Sequence, residues 1–554
     1  MNTNKVYGID LGTTYSAISY MNDDNKPEII NNSEGDQITA SAVFFEPDTG
    51  NIVVGKTAKE EGKIDSDRVV TLIKREMGTA WRMDFDGKEH SPESISALIL
   101  GYLVKGATEA GHEVRDVVIT CPAYFGEKER AATKIAGELA GLNVLRIVDE
   151  PIAAAMNYGV AADSSEPKQV IVYDLGGGTF DVTVVHVSKD GVEVLCTDGD
   201  HKLGGADWDE RLMNLIAQKF VEACPSAGDP LEDVESRFEL MTKTEEAKMN
   251  LTTKTKANVA VSHNGERARI TVTREEFESA TRDLLESTIS FTDKMIALGR
   301  EKSGVEKIDE FLLVGGSTYM PQVRAIVEEK YKDALGVEPK IFEPNYAVSK
   351  GAAVFGNTVK IQEAVQEKIE EIKQETGPDV NPDEAEQQAI AAVAEDFGLE
   401  VGTVNDINSA TMKTVASKSY GIRVLNKDGQ RVCFNLIKRQ TQVPCSISQK
   451  FPVSEANASS LPLVVYSNNS MEATEVLEYC METGDAVMEL TPGLAKGAPI
   501  EVTFTLSEEG QLQLTARDLT NDKEITVSFE VRDGLTQEEI EEKRQIVADL
   551  VFAD

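Results

Sequence analysis

This chain is short of positive charge, of long apolar runs, of paired cysteines and of any leader at its start, and each shortage excludes something. Against 95 Asp and Glu stand 56 Lys and Arg, a formal net charge of -39. A nucleic-acid partner needs a concentrated positive face, which this balance argues against. Solubility in a crowded cytosol is the reading the acidity favours. No apolar run approaches the roughly 18–20 residues of a membrane span, so no membrane partner is expected. The opening MNTNKVYGID leads straight into a strand, without the charged and then apolar segments of a secretory signal. The 6 cysteines (Cys121, Cys196, Cys224, Cys433, Cys445, Cys480) show no C-x-x-C spacing. Zinc sites and small disulfide scaffolds look different, and buried thiols in a reducing compartment are expected. Together these features predict a cytoplasmic, soluble protein.

What is present is a large core and a repeated turn. The 554 residues, 41% hydrophobic and 27% charged, suit a globular chain of roughly three to five units. Ile9-Asp10-Leu11-Gly12-Thr13-Thr14-Tyr15 and Val172-Tyr173-Asp174-Leu175-Gly176-Gly177-Gly178-Thr179-Phe180-Asp181 share one design. Each is an apolar strand ending in aspartate, then a turn of glycines and threonines, then a second strand. Freed N–H groups in such turns cradle anions, and an aspartate at the tip can hold a hydrated divalent cation against a polyphosphate. Two copies predict a duplicated α/β domain with a phosphate between its halves. Leu203-Gly204-Gly205-Ala206-Asp207 and Val314-Gly315-Gly316-Ser317-Thr318 add two further glycine turns. A single Gly-Gly turn is ordinary; four in one domain favour a nucleotide site.

Residues 1–358 alternate strands (117–120, 170–173, 192–195, 311–314) with helices (127–141, 208–224, 274–299), the pattern of parallel-rich sheets covered by helices. A charged helix over 357–375, a second over 382–397 and a small polar stretch over 401–417 read as a connector, or as a solvated linker. Short β-rich runs from 419 to 531, broken by Asp428-Gly429 and Glu509-Gly510, predict an all-β sandwich. Leu535–Val551 reads as a helix with Thr536 as cap and Glu539 completing a capping box.

Residues 1–358 resemble the ATPase domain of the seventy-kilodalton heat-shock (DnaK-type) chaperones, which share the actin and sugar-kinase fold. The resemblance rests on the two long runs above, on Ile119-Thr120-Cys121-Pro122-Ala123-Tyr124-Phe125, on Asp149-Glu150-Pro151-Ile152-Ala153-Ala154-Ala155 and on Leu203 to Asp207, all in the family's order. It continues more weakly through the β-rich region and leaves out the connector. It implies an actin-like, ribonuclease H-like duplicated ATPase domain (1–358), an acidic helical connector (359–417), a β-sandwich substrate domain (418–532) and the start of a lid (533–554). The implied function is a stress-response chaperone that hydrolyses ATP with Mg2+, and K+ as a further candidate ion, and that binds unfolded client polypeptides. J-domain co-chaperones and nucleotide-exchange factors are implied partners.

The resemblance also supplies roles. Asp10, Asp174 and Asp181 would hold magnesium, mostly through water. Gly12, Thr13, Thr14, Tyr15, Gly176, Gly177, Gly178, Thr179, Gly204, Gly205, Gly315, Gly316 and Ser317 would surround the phosphates. Lys74 would stabilise charge on the γ-phosphate, and Glu150 would orient water. Glu245, Lys248 and Thr252 share one helical face and would hold sugar and base. Met249 and Tyr319 stand where relatives often carry arginines, and Asn345 replaces an aspartate; an altered affinity is expected. In the β-region Ile422, Val424, Phe451, Leu461 and Leu463 are candidates to grip an extended peptide, against the plainer reading of sandwich core. Pro462 fits an edge strand.

The family's short leucine-rich connector is absent, which puts coupling between ATP and peptide in doubt, although Arg130 and Arg146 match positions near its docking surface. An ATP-binding scaffold serving one dedicated partner is the alternative, and a small-molecule kinase on the same fold is the third reading.

Overall fold

A computed structural model describes residues 5–162, 166–304, 307–377, 380–507, 510–529, 537–548 and 550–552. The expected cap Thr536 and turn residue Glu509 lie outside them.

The first sheet runs β5-β4-β1-β2-β3, where β1 is Val6–Asp10, β2 Tyr15–Met21, β3 Pro27–Ile30, β4 Asp116–Cys121 and β5 Asn143–Asp149. The second begins β10-β9-β6-β7-β8, where β6 is Lys168–Leu175, β7 Phe180–Ser188, β8 Gly191–Asp200, β9 Glu310–Val314 and β10 Pro339–Ile341. The two orders are the same. In each, the central strand pairs antiparallel with its successor (β1 with β2, β6 with β7) and parallel with a later strand (β4, β9). The duplication expected from two like turns is therefore a repeat of topology. The central strands are mostly apolar before their aspartates because both faces are covered. Val6 and Val118 of the first sheet share a buried cluster with Val170 and Val172 of the second, joined by Ile152 of helix α3 (Glu150–Ala162) and Ala352 of helix α6 (Ala347–Thr376). Four further helices flank the sheets: α1 (Pro92–Glu109), α2 (Glu127–Leu139), α4 (Gly205–Ala223) and α5 (Val234–Thr253), the last packed beside α4. The single helix expected over 274–299 is two, Arg274–Ala280 and Arg282–Ser303, divided at Thr281, whose backbone (φ -117°, ψ 11°) leaves the helical range while its hydroxyl donates to the Phe277 carbonyl and to Gln322.

The expected boundary at 358 lies inside α6, which is unbroken from Ala347 to Thr376. Its second half packs with α7 (Pro382–Phe397) and α8 (Val401–Ser409) around Ile361, Val365, Ile390, Val393 and Val404. The stretch 401–417, read above as small and polar, is in fact this helix α8 followed by strand β11 (Thr411–Val415). Val404 is fully buried and Val415 nearly so, which sparse apolar residues among Asn, Ser and Thr do not announce. The Gln362 side-chain amide donates to the Ile407 and Ala410 carbonyls (3.0 and 2.8 Å), fixing the entry to β11.

β11 adds in parallel to the edge of β8, Gly191 to Glu193 opposite Thr411 to Lys413, and then pairs antiparallel with β12 (Gln442–Val443). The sheet thus passes from the duplicated domain into the β-rich region. A Cβ on Gly191 would lie 1.8 Å from the Thr411 carbonyl oxygen, and its φ is 123°; only glycine lets the strand dock there. Thr414 donates to Asp149 (2.9 Å), which pairs with Arg130, while Arg146 meets Glu363 of α6 at 3.5 Å.

The β-rich region forms two facing sheets. One holds 419–425, 431–437, 460–468, 474–476 and 481–489; the other holds 445–452, 499–506, 512–518 and 523–529. Their shared core contains Ile422, Leu463, Val502 and Phe504. At Pro462 the strand is paired on one side only, with Val487, because its other partner stops at Val465. The C-terminal helix α9 (Gln537–Ala548) returns to the first lobe, where Ile540 packs with Ala97 of α1 and Leu139 of α2. No described helix is long and apolar enough to cross a membrane.

Two outcomes are expected. Gly191→Val should prevent β11 from pairing, read as roughly tenfold faster amide hydrogen exchange over residues 411–415. Near α9, His90 is fully buried with Nε2 unpartnered, and burial, aided by Lys543 and Lys88 and opposed by Asp84, lowers its pKa from 6.5 to about 4. A proton therefore binds the opened state first. The stability contributed is complete above about pH 6.5 and is lost as pH falls toward 4, by roughly 2 kcal/mol at pH 5. Thermal unfolding at pH 7 and pH 5 should show a larger drop for the wild type than for His90→Asn.

Candidate active site

Between the two sheets, at the ends of β1, β6 and β9, lies a cavity of about 400 Å³. Its floor is made by the two glycine turns. They come from opposite lobes and touch: a Cβ on Gly177 would stand 1.8 Å from Oγ1 of Thr14, and one on Gly178 would stand 2.3 Å from Cγ2 of Thr13. Bulkier residues would hold the lobes apart. The Gly12 carbonyl accepts from Ser41 (2.8 Å).

The second turn is held from outside. The Gly176 carbonyl accepts from the Gly205 N–H (3.0 Å) and the Ser317 hydroxyl (2.8 Å), and the Gly177 carbonyl accepts from the Ala206 N–H (2.7 Å). The Gly178 carbonyl accepts from Arg75. With three carbonyls fixed, the N–H groups of Gly177, Gly178 and Thr179 lie on the opposite edges of their planar peptides. None of the three donates to a protein acceptor among the described residues. Gly204 and Gly205 thus act from behind: they open α4 and press on the turn, while Gly315, Gly316 and Ser317 complete the wall.

Charge is concentrated at the floor. Lys74 Nζ donates to Glu150 Oε1 at 2.5 Å, with side chains 5% and 9% exposed. Burial alone would lower the Lys74 pKa, but Glu150 and Asp10 overcome it and hold the ammonium above its ordinary value. Burial and the Glu150 charge push Asp10 up to about 7. Burial, Glu150 and Asp10 raise Asp174 well above the carboxylate range, and burial, Glu150 and Asp174 do the same to Asp181. Asp174 and Asp181 face each other across the β6–β7 hairpin. Asp181 lies behind the cavity wall, with Oδ1 buried and unpartnered. Buried carboxylates that repel one another, one with a lone oxygen, suit a hard cation. Among the described residues no three of them close on a single point for direct ligation, so the donor set fits a hydrated ion.

The far wall is α5. Glu245, Lys248, Met249 and Thr252 all line the cavity, with Tyr15, Tyr319 and Asn345. Tyr15 Oη donates to Glu245 Oε1 (3.0 Å) and Lys59 Nζ to Glu245 Oε2 (2.7 Å). Burial would raise the Glu245 pKa; Lys59, with Lys248 and Tyr15, more than offsets it, and the carboxyl sits below its usual value. Lys248 donates to Asp209 (2.6 Å) and to the Gly205 carbonyl (2.9 Å). Met249 and Tyr319 are half exposed at the mouth.

The structure thus brings every residue expected for the nucleotide to this cleft or directly behind it. Sequence reading missed Arg75, Asp209, Lys59 and Tyr124. Arg75 and Asp209 had a signal, each lying within two residues of a motif; Lys59 had none. Tyr124 stood inside a quoted motif without a role, and its buried hydroxyl is unpartnered beside the charges of Asp181 and Glu150.

In the β-sandwich the five peptide candidates divide. Ile422 and Leu463 are buried in the shared core, whereas Val424, Phe451 and Leu461 are partly buried at its rim. Leu425 and Val487, named for no role above, are about 60% exposed (61% and 59%).

Comparison with known proteins follows the same division of the chain. The Hsp70 protein family matches residues 6–84, 80–369 and 358–550. The match includes the connector, which the sequence reading left outside the resemblance. The chaperone protein DnaK of Thermotoga neapolitana is 36% identical over 551 residues, covering 98% of this chain and 82% of its own. The DnaK proteins of Thermosipho melanesiensis (34%; 98% and 83%) and Halobacterium salinarum (35%; 98% and 78%) are similar in the same way.

Lys74→Ala leaves Glu150 buried without its cation and should cost about 3–5 kcal/mol. The double change Lys74→Ala with Glu150→Gln should recover most of that loss in thermal unfolding of the ligand-free protein.

Proposed function

The chain belongs to the Hsp70 family, and from that membership we infer that it is an ATP-dependent molecular chaperone, an ATP hydrolase that works with magnesium. The repeated strand order supports reading residues 1–358 as an actin-like, ribonuclease H-like duplicated ATPase domain. The proposed units that follow are the connector 359–417, the substrate sandwich 418–532 and a short lid element from 533.

We propose that ATP binds in the cleft with its phosphates on the two glycine turns. What supports this is that the N–H groups of Gly177, Gly178 and Thr179 have no protein acceptor among the described residues, while the carbonyls on the same peptide planes are held from the other side. Thr13 and Thr14 add hydroxyl donors from the other lobe. Asp10, Asp174 and Asp181 would hold a magnesium ion through its water shell, and the ion supplies charge neutralisation on the phosphates. Lys74, kept cationic and oriented by Glu150, faces the terminal phosphate, where phosphoryl transfer requires placement more than covalent chemistry. Glu245 and Lys248 take the sugar. Tyr319 stacks on the base and Met249 packs against it, in place of arginines. Asn345, beside Gly316, contacts the nucleotide as a neutral amide.

Extended apolar client segments are the proposed substrate of the sandwich, at Val424, Phe451 and Leu461 with exposed Leu425 beside them. Ile422 and Leu463 support that surface from below. J-domain proteins and exchange factors are proposed partners on family grounds. The scaffold alternative drew its weight from a missing connector; the pairing of β11 with β8 favours the coupled reading, since a strand links the ATPase sheet to β12 directly.

Release of a fluorescent apolar peptide, followed with and without ATP, tests this. ATP should speed release, and peptide should raise ATP turnover. Binding of ATP with neither effect would favour the scaffold, and phosphate transfer to a sugar would favour the kinase.

A further inference from the structure

Three successive peptide planes shape the second phosphate turn, and they are not held alike. The Gly176 and Gly177 carbonyls are anchored by Gly205, Ala206 and Ser317, all in the same lobe as the turn. Those anchors involve no residue of the other lobe. The Gly178 carbonyl accepts from Arg75 Nε (3.1 Å) and Nη2 (2.8 Å), and Arg75 belongs to the other lobe. No donor of its own lobe reaches that carbonyl among the described residues. The same guanidinium pairs with Asp207 (Nη2 to Oδ2, 2.6 Å), whose Oδ2 also accepts the Gly204 N–H (2.7 Å). One side chain therefore spans two of the three glycine turns of the opposite lobe.

The peptide it holds matters most. Gly178 C=O and Thr179 N–H are opposite edges of one plane, so fixing the oxygen toward Arg75 turns the N–H away from it. Glycine on one side leaves that plane free to rotate when the oxygen is released. Arg75 also directly follows Lys74 in a four-residue 3₁₀ turn (Ile73–Glu76). The chain enters this turn through Leu72 in a left-handed conformation (φ 57°), an unfavourable one for a residue with a side chain. Lysine and arginine are neighbours in this one short turn.

We propose that Arg75 is a positioning residue for hydrolysis: by holding the Gly178 carbonyl it aims the Thr179 N–H at the terminal phosphate, and it makes lobe closure and delivery of Lys74 a single event. This rests on the cleft being the ATP site. An open cleft would keep two of the three amides in place and lose the third. Nucleotide could then bind before the site is competent.

The test compares the full-length wild type with Arg75→Ala and Arg75→Lys. The readouts are ATP binding by calorimetry, single-turnover hydrolysis, release of a fluorescent ADP, and thermal unfolding. Removing one preorganised donor should lower the single-turnover rate of Arg75→Ala by about ten- to a hundredfold, with ATP affinity within about threefold of wild type. Lysine keeps the charge toward Asp207 but lacks the fork that also grips the carbonyl. Arg75→Lys should therefore restore thermal stability and slow ADP release while hydrolysis stays slow; it also serves if Arg75→Ala does not fold. A single-turnover rate for Arg75→Ala within about twofold of wild type would overturn the proposal. So would recovery of rate and stability together in Arg75→Lys, the behaviour of a plain strut between lobes. Absence of ATP binding by the wild type would instead remove the cleft assignment, and the Arg75 role with it.

Discussion

Contact between two glycine turns from opposite lobes is the constraint on which the site depends. Thr13 and Thr14 can reach Gly177 and Gly178 only because those positions carry no side chain. Once the turns meet, β1 and β6 point their terminal carboxylates into one space, and α5 closes it from the side. The same strand order in both lobes makes this possible. Each lobe delivers a strand end, an acid and a turn to the same plane, and the shared buried cluster of valines and alanines around α3 and α6 holds the sheets in that relation.

Such closeness concentrates charge. Asp10, Asp174, Asp181 and Glu150 lie with Lys74; burial first, and then the neighbouring carboxylates, raise the pKa values of the three aspartates, and Lys74 offsets only part of this. A polyphosphate adds more negative charge still. Its metal ion is therefore a condition of stable binding as well as of chemistry. The Lys74–Glu150 pair keeps the lysine charged and pointed when the cleft is empty, so little reorganisation remains when substrate arrives.

The physical link to the β-sandwich is made by strand pairing. β11 completes an otherwise open edge on β8 and hands the sheet on to β12, while Thr414 reaches Asp149, the neighbour of Glu150. The helices α6, α7 and α8 form a core of their own and fix where β11 begins. The polar composition of β11 does not prevent this contact with β8, since backbone pairing asks little of the side chains.

The amino-acid sequence alone was enough for the glycine turns, the alternation of strands and helices and the β-rich region near the end, because these are local patterns: an apolar run, an acid at its tip, glycine after it. Lys74, Glu150, Glu245, Lys248, Thr252, Met249, Tyr319 and Asn345 carry no such pattern and were reached only through the family resemblance. The sequence was not enough for β11, whose polar residues give no alternation and whose partner is 220 positions away (Gly191 to Thr411). Nor could it separate Ile422 and Leu463, which face the core, from Val424, Phe451 and Leu461 at the rim, since all are apolar residues in strands. Arg75 and Asp209 read as ordinary charges beside known motifs until folding set them against Gly178 and Lys248. Only the closed arrangement of the lobes gives a carbonyl from one and a guanidinium from the other a common position, and no local pattern encodes a distance between segments this far apart in the chain.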